Sequence, residues 1–231
     1  VIGLGYVGLP LAVALSRHFE VVGYDSDSTR IVERRGGRDR TNEFELASEE
    51  INQSMISFSN ELELLQGANF YCVCVPTQID GDKKPDLGPL EKAWRTVASV
   101  LARGDIVAFE STAYPGATEE VIILLLEQYP GLQVNDDFSV GCSLERINPG
   151  DFERKLENVV KVISATFSFT LKILEHVYGS IVKAGLHHAP SIKVAEAAKV
   201  IENTQRDLNI ALINDLASLF YKLDIDTREV L

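Results

Sequence analysis

The chain has 231 residues, of which 45% are hydrophobic and 24% charged, a globular balance long enough for one large domain or one and a half. A formal net charge of -12 weighs against a nucleic-acid binder, which needs Lys and Arg to neutralise phosphates, yet leaves room for an anion held by a few local N–H groups. Three cysteines with no Cys-x-x-Cys spacing and no Cys/His cluster point to reduced thiols and no metal. With no signal-peptide pattern and no run long enough to span a bilayer, a cytoplasmic protein with no membrane partner is expected.

Apolar and amphipathic runs then alternate along the chain. Glu20 to Asp25 (EVVGYD) reads as a strand ending in an acid, followed by a short helix over Ser28 to Arg35. The polar stretch Gly36 to Glu50 reads as loop passing into helix. Ala68 to Thr77 (ANFYCVCVPT) is a buried strand stopped by Pro76, Pro89 to Arg103 a helix, and Asp105 to Glu110 (DIVAFE) another strand. Ala117 to Gln128 is a helix whose opening glutamates suit the positive end of its dipole. Phe138 to Ser143 and Val159 to Ser164 are further strands.

Past Pro190 comes the longest helical run, Ser191 to about Leu223, apolar around much of its circumference and so expected to be buried between domains or subunits. The alternation predicts an α/β fold: a Rossmann-like, doubly wound parallel sheet over residues 1–190, then a long central helix opening a second domain at 191–231. Val1 is not an initiator residue, and Asp226 to Leu231 reads as the beginning of another helix, so the numbered chain is expected to be cut at both ends.

Gly3-Leu4-Gly5-Tyr6-Val7-Gly8 is a G-x-G-x-x-G loop with only Val1 and Ile2 ahead of it. Alone the motif is weak evidence. Here Leu9 to Arg17 supplies the helix that should follow, and a second strand ends at Asp25, where a carboxylate reaches the adenosine ribose hydroxyls. Gly3 permits the tight turn, Gly5 lets backbone amides approach a pyrophosphate, and Gly8 lets the helix pack closely. Asp25 favours NAD, because it repels a 2′-phosphate. Tyr6, Val7 and Arg30 are assigned to the same cofactor site.

Four longer stretches occur in order: GLGYVGLPLA, ESTAYPGATEEV, ERINPGD and SIKVAEAAKVIENTQRDLNIALIN. Together they resemble the UDP-glucose/GDP-mannose dehydrogenase family, and within it the UDP-N-acetylhexosamine 6-dehydrogenases of bacterial surface-polysaccharide synthesis. The resemblance runs from Val1 to Leu231. It implies oxidation of the C6 alcohol of a UDP-sugar to a carboxylate with two NAD, through an aldehyde, and a homodimer formed through the long helix. It also implies a C-terminal nucleotide-holding domain and a catalytic cysteine, both beyond Leu231.

Thr77 and Thr112 follow strand ends, where ligands bind in open α/β sheets; by resemblance both line the nicotinamide end of the cofactor site, and otherwise each is a helix cap or turn former. Pro115-Gly116 predicts a tight turn after Thr112. Glu145 resembles the family glutamate that activates water for the final hydrolysis, the plain alternative being an ion pair with Arg146. Glu196, Lys199, Asn203 and Arg206 recur at three- and four-residue steps along one face of the long helix. By resemblance Lys199 stabilises developing negative charge on the sugar C6 oxygen and Asn203 donates a hydrogen bond to it; the alternative is an internal Glu196–Lys199 row. His187 and His188 read as solvated, and Cys72 and Cys74, on a buried strand, as inert.

Three residues depart from the family pattern: Gln78 where Pro-Thr-Pro is usual, Cys142 in place of a tyrosine, and Leu144 where Ser-Pro-Glu is usual. They bear on substrate affinity and rate more than on fold. Two other readings stand beside the first. One is a β-hydroxyacid-type dehydrogenase acting by a single hydride transfer, against which ERINPGD and ESTAYPGATEEV speak. The other is a truncated or non-catalytic module that binds NAD.

Overall fold

Val1, Ile2 and Gly3 occupy the middle of the sheet. Ile2 donates to the Cys72 carbonyl and accepts from Cys74 N–H, both at 2.8 Å, while Gly3 donates to the Tyr24 carbonyl and Val1 accepts from Tyr24 N–H, again at 2.8 Å. This short segment therefore bridges two strands and fills the slot of a first strand. The structure is a computed structural model that describes residues 1–38, 55–79, 81–82, 85–128, 131–144 and 156–230.

In chain order the elements are α1 (Gly8–Leu15), β1 (Val21–Tyr24), α2 (Ser28–Arg35), β2 (Ile56–Ser59), β3 (Phe70–Val73), β4 (Gln78–Ile79), β5 (Pro85–Asp86), α3 (Gly88–Ala98), β6 (Ile106–Phe109), α4 (Ile123–Glu127), β7 (Ser139–Cys142), β8 (Lys161–Ala165), α5 (Ser168–Gly179), β9 (Leu186–His188), α6 (Ile192–Lys222) and α7 (Thr227–Val230). A π-helical turn, Thr118–Ile122, leads into α4. Across the sheet the order is β2, β1, the Ile2 segment, β3, β6, β7, β8 and β9, while β4 and β5 form a separate antiparallel pair. The order reverses at the Ile2 segment, so the crevice there lies where open α/β sheets bind ligands.

The predicted parallel sheet holds from β2 through β7. It fails at β8, which pairs antiparallel with β7 through Gly141↔Ala165 and Cys142↔Ser164. Parallel neighbours need a crossover that packs on the sheet. The helix that covers β7 and β8, α5, follows β8 instead of preceding it and serves the next parallel pair, β8–β9. Its buried residues Thr170, Leu174, Val177 and Tyr178 recur at helical spacing, one stripe facing the sheet.

Both faces are covered. α1 and α5 pack on one face with Leu9, Leu11, Leu174 and Tyr178, while Trp94 of α3 and Leu126 of α4 pack on the other, against Phe109 and Val140. Residues 36–38 are described, but most of the loop-to-helix stretch expected over Gly36 to Glu50 lies outside the described residues.

The helix expected from Ser191 is present. The Ser191 hydroxyl caps α6 by accepting Val194 N–H at 3.2 Å. Only Ile192, Ala195, Glu196 and Lys199, in its first turns, are buried. Beyond Lys199 many of its apolar side chains, Ile201, Leu208 and Leu212 among them, are exposed in the isolated chain, which leaves the burial expected between domains or subunits to a second molecule or domain. No helix among the described residues is long and apolar enough to cross a membrane.

Candidate active site

The glycine loop is held from below and open above. Gly3 sits at φ +89°, and a Cβ there would lie 2.7 Å from the Cys74 carbonyl oxygen. A Cβ on Gly8 would run into the Gly3 carbonyl oxygen itself, so the helix closes directly onto its own turn. α1 carries no side-chain cap and no acid in its first turn, which leaves the positive end of its dipole for an anion. The Asp25 carboxylate fixes the loop: Oδ2 accepts Leu4 N–H at 2.8 Å and Arg30 Nη1 at 3.2 Å, and Oδ1 accepts Asp27 N–H at 3.0 Å. A carboxylate has about four acceptor positions, so about one remains for a ribose hydroxyl.

Across the crevice, the segment that carries Thr112 is anchored on three sides. Before it, Glu110 forms a buried ion pair with Lys161 at 2.9 Å. Next to it, the Ser111 hydroxyl donates to the Val75 carbonyl at 2.5 Å. After it, Tyr114-Pro115-Gly116-Ala117 closes a turn in which Ala117 N–H donates to the Tyr114 carbonyl at 3.0 Å and Gly116 takes φ +101°, the type II arrangement predicted for Pro-Gly. Thr112 itself is exposed. Thr77, beyond the end of β3, has a buried hydroxyl that meets no partner among the described residues, a donor and acceptor ready for a ligand.

The long helix presents Lys199 from a third direction. Its side chain is buried at 9% exposure and lines a recess of about 50 Å³ with Leu144, Val162, Ala195, Ala198 and Glu202. Glu202 in turn pairs with Arg206 at 3.2 Å. Asn203 is exposed. Glu196 does not serve the row suggested by its spacing. Its Oε2 accepts Gly116 N–H at 2.6 Å, and its Oε1 accepts Thr118 N–H at 3.0 Å and the Thr118 hydroxyl at 2.7 Å. Glu145, with the whole of ERINPGD, lies outside the described residues.

Residues 1–182 match the NAD binding domain of the UDP-glucose/GDP-mannose dehydrogenase family, and residues 193–231 match its central domain. The chain belongs to that family. It is 52% identical over its whole length to a UDP-N-acetyl-D-glucosamine 6-dehydrogenase of Pseudomonas aeruginosa and 50% identical to one of Salmonella typhi, and it spans 54% of each. The chain thus covers about half the length of the curated relatives it matches. A solved UDP-D-ManNAc dehydrogenase of Pyrococcus horikoshii superposes with a TM-score of 0.91 at 36% identity, covering 100% of this chain and 55% of that one.

Membership in the UDP-glucose/GDP-mannose dehydrogenase family makes NAD the cofactor and sets aside the β-hydroxyacid-type reading. The residues present fit NAD: a glycine turn so tightly packed on the sheet that any Cβ at Gly3 or Gly8 would force it open, an uncapped helix N-terminus, and a buried Thr77 hydroxyl with no partner among the described residues. The three cysteines are all buried and free. Burial pushes the Cys72 thiol up to about 11 and those of Cys74 and Cys142 well above the usual range. None is a nucleophile at neutral pH. His187 and His188 lie exposed on β9, as solvated residues should.

Two features of the site escaped the sequence reading. The Glu110–Lys161 pair joins residues 51 apart in sequence, and Lys161 also lies 5.2 Å from the centre of the Tyr178 ring. The recess wall includes Glu202, which the Glu196-Lys199-Asn203-Arg206 stripe passes over. Its only sequence signal is four-residue spacing to Arg206.

Proposed function

We propose that this chain serves the NAD-dependent oxidation of the C6 alcohol of a UDP-N-acetylhexosamine to the corresponding uronic acid, in the cytoplasm, for bacterial surface polysaccharide. What supports the reading is the match of residues 1–182 to the family's NAD binding domain, together with the hydrogen bonds by which Glu196, one turn before Lys199, holds the Gly116–Thr118 turn that follows Thr112. The half-identical relatives are themselves UDP-N-acetyl-D-glucosamine 6-dehydrogenases.

NAD would be held by Gly3, Gly5, Tyr6, Val7 and Gly8 at the pyrophosphate, by Asp25 beside Arg30 at the adenosine ribose, and by Thr77 and Thr112 toward the nicotinamide. When bound, it supplies the hydride acceptor. The chain's own residues handle charge and protons. Lys199, held in a recess whose other walls include Leu144, Val162, Glu202 and two alanines, meets the negative charge that grows on the C6 oxygen as its proton passes to water, a charge relieved when the C6 hydride leaves and the carbonyl forms. Asn203, one turn further along the same helix, donates a second hydrogen bond to that oxygen. Glu145 is the base for the water of the closing hydrolysis. The thioester step that the family resemblance implies draws its thiolate from outside these 231 residues, because the three cysteines here are buried.

The same reading divides the chain at Pro190 into a cofactor domain, 1–190, and the opening of a central domain, 191–231. It assigns homodimerisation to α6. Ile201, Leu208, Leu212 and Leu219 fall on one face of that helix at steps of about seven and four residues, with exposures of 67%, 63%, 56% and 49%. A stripe of this kind suits a second copy.

The test is NADH formation by the full-length protein with UDP-N-acetylglucosamine and its galactosamine and mannosamine counterparts. Two NADH per sugar supports the proposal. NAD binding by calorimetry without NADH from any of them supports the non-catalytic module instead.

A further inference from the structure

Glu196 is wholly buried, and its three hydrogen bonds all reach the segment after Thr112, 78 and 80 residues upstream. It lies one helical turn before Lys199 on the same helix. One carboxylate therefore ties the element bearing Lys199 to the turn that follows Thr112. A second link, Lys193 to Glu120 at 3.5 Å, has both side chains more than half exposed, and such pairs contribute little. The buried link decides the geometry.

From this contact we infer that Glu196 is a positioning residue, which sets the distance between the Lys199 ammonium and the cofactor end of the site by locking α6 onto the Gly116–Thr118 turn. This rests on the proposed role of Lys199. The acceptor must be a carboxylate. Gly116 and Thr118 present donors to both oxygens, and a glutamine offers only one oxygen, so its NH2 group would face an N–H or a hydroxyl. Gly116 sits at φ +101°, a conformation that glycine adopts freely and that turns its N–H toward Glu196.

The experiment uses the full-length protein with Glu196→Gln, Thr118→Val and Thr118→Ser. For Glu196→Gln the expected result is a fall in kcat of about 100-fold, the scale of a misplaced catalytic group, with KM for the sugar and Kd for NAD changed less than about threefold. Thr118→Val, which keeps the shape and loses one donor, is expected to lower kcat in the same direction by less, and Thr118→Ser to restore it. An unchanged kcat in both Glu196→Gln and Thr118→Val overturns the inference. So does a loss of kcat that tracks equal losses in NAD affinity and melting temperature, the signature of a structural role alone.

Amide hydrogen exchange at Gly116 and Thr118 in the present chain separates the two ways of failing. Faster exchange in Glu196→Gln, with no NADH from the wild type, shows the contact intact and the reading of the site wrong. Unaltered exchange shows the contact itself absent.

Discussion

Arg30 Nη1 lies 3.2 Å from Asp25 Oδ2, the same oxygen that holds Leu4 N–H at 2.8 Å. Asp25 therefore does two jobs at once: it fixes the glycine loop from within and presents negative charge where the adenosine ribose would lie. Arg30 is kept in check by that charge. Replacing Asp25 with serine removes the repulsion of a 2′-phosphate and releases a guanidinium to meet it. Calorimetry with both cofactors is expected to show NAD weakened and the preference for NAD over NADP reduced by at least about tenfold. An unchanged ratio would remove Asp25 from the ribose site.

The closure of α1 onto its own turn gives a second expectation. Gly8→Ala places a methyl against the Gly3 carbonyl and 3.0 Å from Cys74 Cβ, so the helix must back away from the sheet. The cost is about 1–3 kcal/mol of stability in denaturant unfolding, with NAD affinity down at least about tenfold. Gly104→Ala is the control. Its φ of +90° strains an alanine by about 1–2 kcal/mol, but the added Cβ meets nothing within 4 Å and NAD affinity should not change.

The Glu110–Lys161 pair is almost fully removed from water, with side-chain exposures of 0% and 3%. Breaking such a pair leaves one uncompensated buried charge. Lys161→Met is expected to destabilise by about 3–5 kcal/mol, whereas Glu110→Leu with Lys161→Met together should come much closer to the wild type. A double-mutant cycle in urea measures the coupling. If the single variant costs less than about 1 kcal/mol, the two side chains are not buried together.

Alkali should destabilise the protein through its buried thiols and phenols. Burial raises the Cys72 thiol from 9.0 to about 11 and the Tyr71 hydroxyl from 10.0 to about 12, and raises Cys74, Cys142 and Tyr178 as well. Each folded value lies above its unfolded one, so the folded state holds protons that the unfolded state releases. The corresponding stability is fully present below about pH 9 and is lost as pH rises toward 11 to 12. Thermal melting should be level through neutral pH and fall steadily from about pH 9. A melting temperature independent of pH up to 11 would mean that these groups are not buried.

What could be read from the chain alone was what is local. The glycine loop, the acid at Asp25, the β6 and β7 runs and the Pro115-Gly116 turn all express their structure within a few residues, and each lies where its pattern placed it. The antiparallel return of β8 was not legible, because strand direction is set by the connection and not by the strand's own pattern. β2 and α5 were passed over although Thr170, Leu174, Val177 and Tyr178 carry a helical stripe.

The polar face of the long helix was visible, but its partners were not. Nothing in the spacing of Glu196 announces that it faces a turn 80 residues away rather than Lys199. The exposed half of α6 shows the same limit: apolar composition predicts burial without saying which molecule provides it.

The account rests on a dinucleotide lying over the first turn with its reactive end toward Thr112 and Lys199. Backbone amide shifts of this chain, recorded as NAD is added, test that most directly. The account predicts the largest changes at Gly5 to Gly8 and at Asp25, with further changes at Thr77 and Thr112. A folded chain in which those amides stay still at millimolar NAD would contradict it.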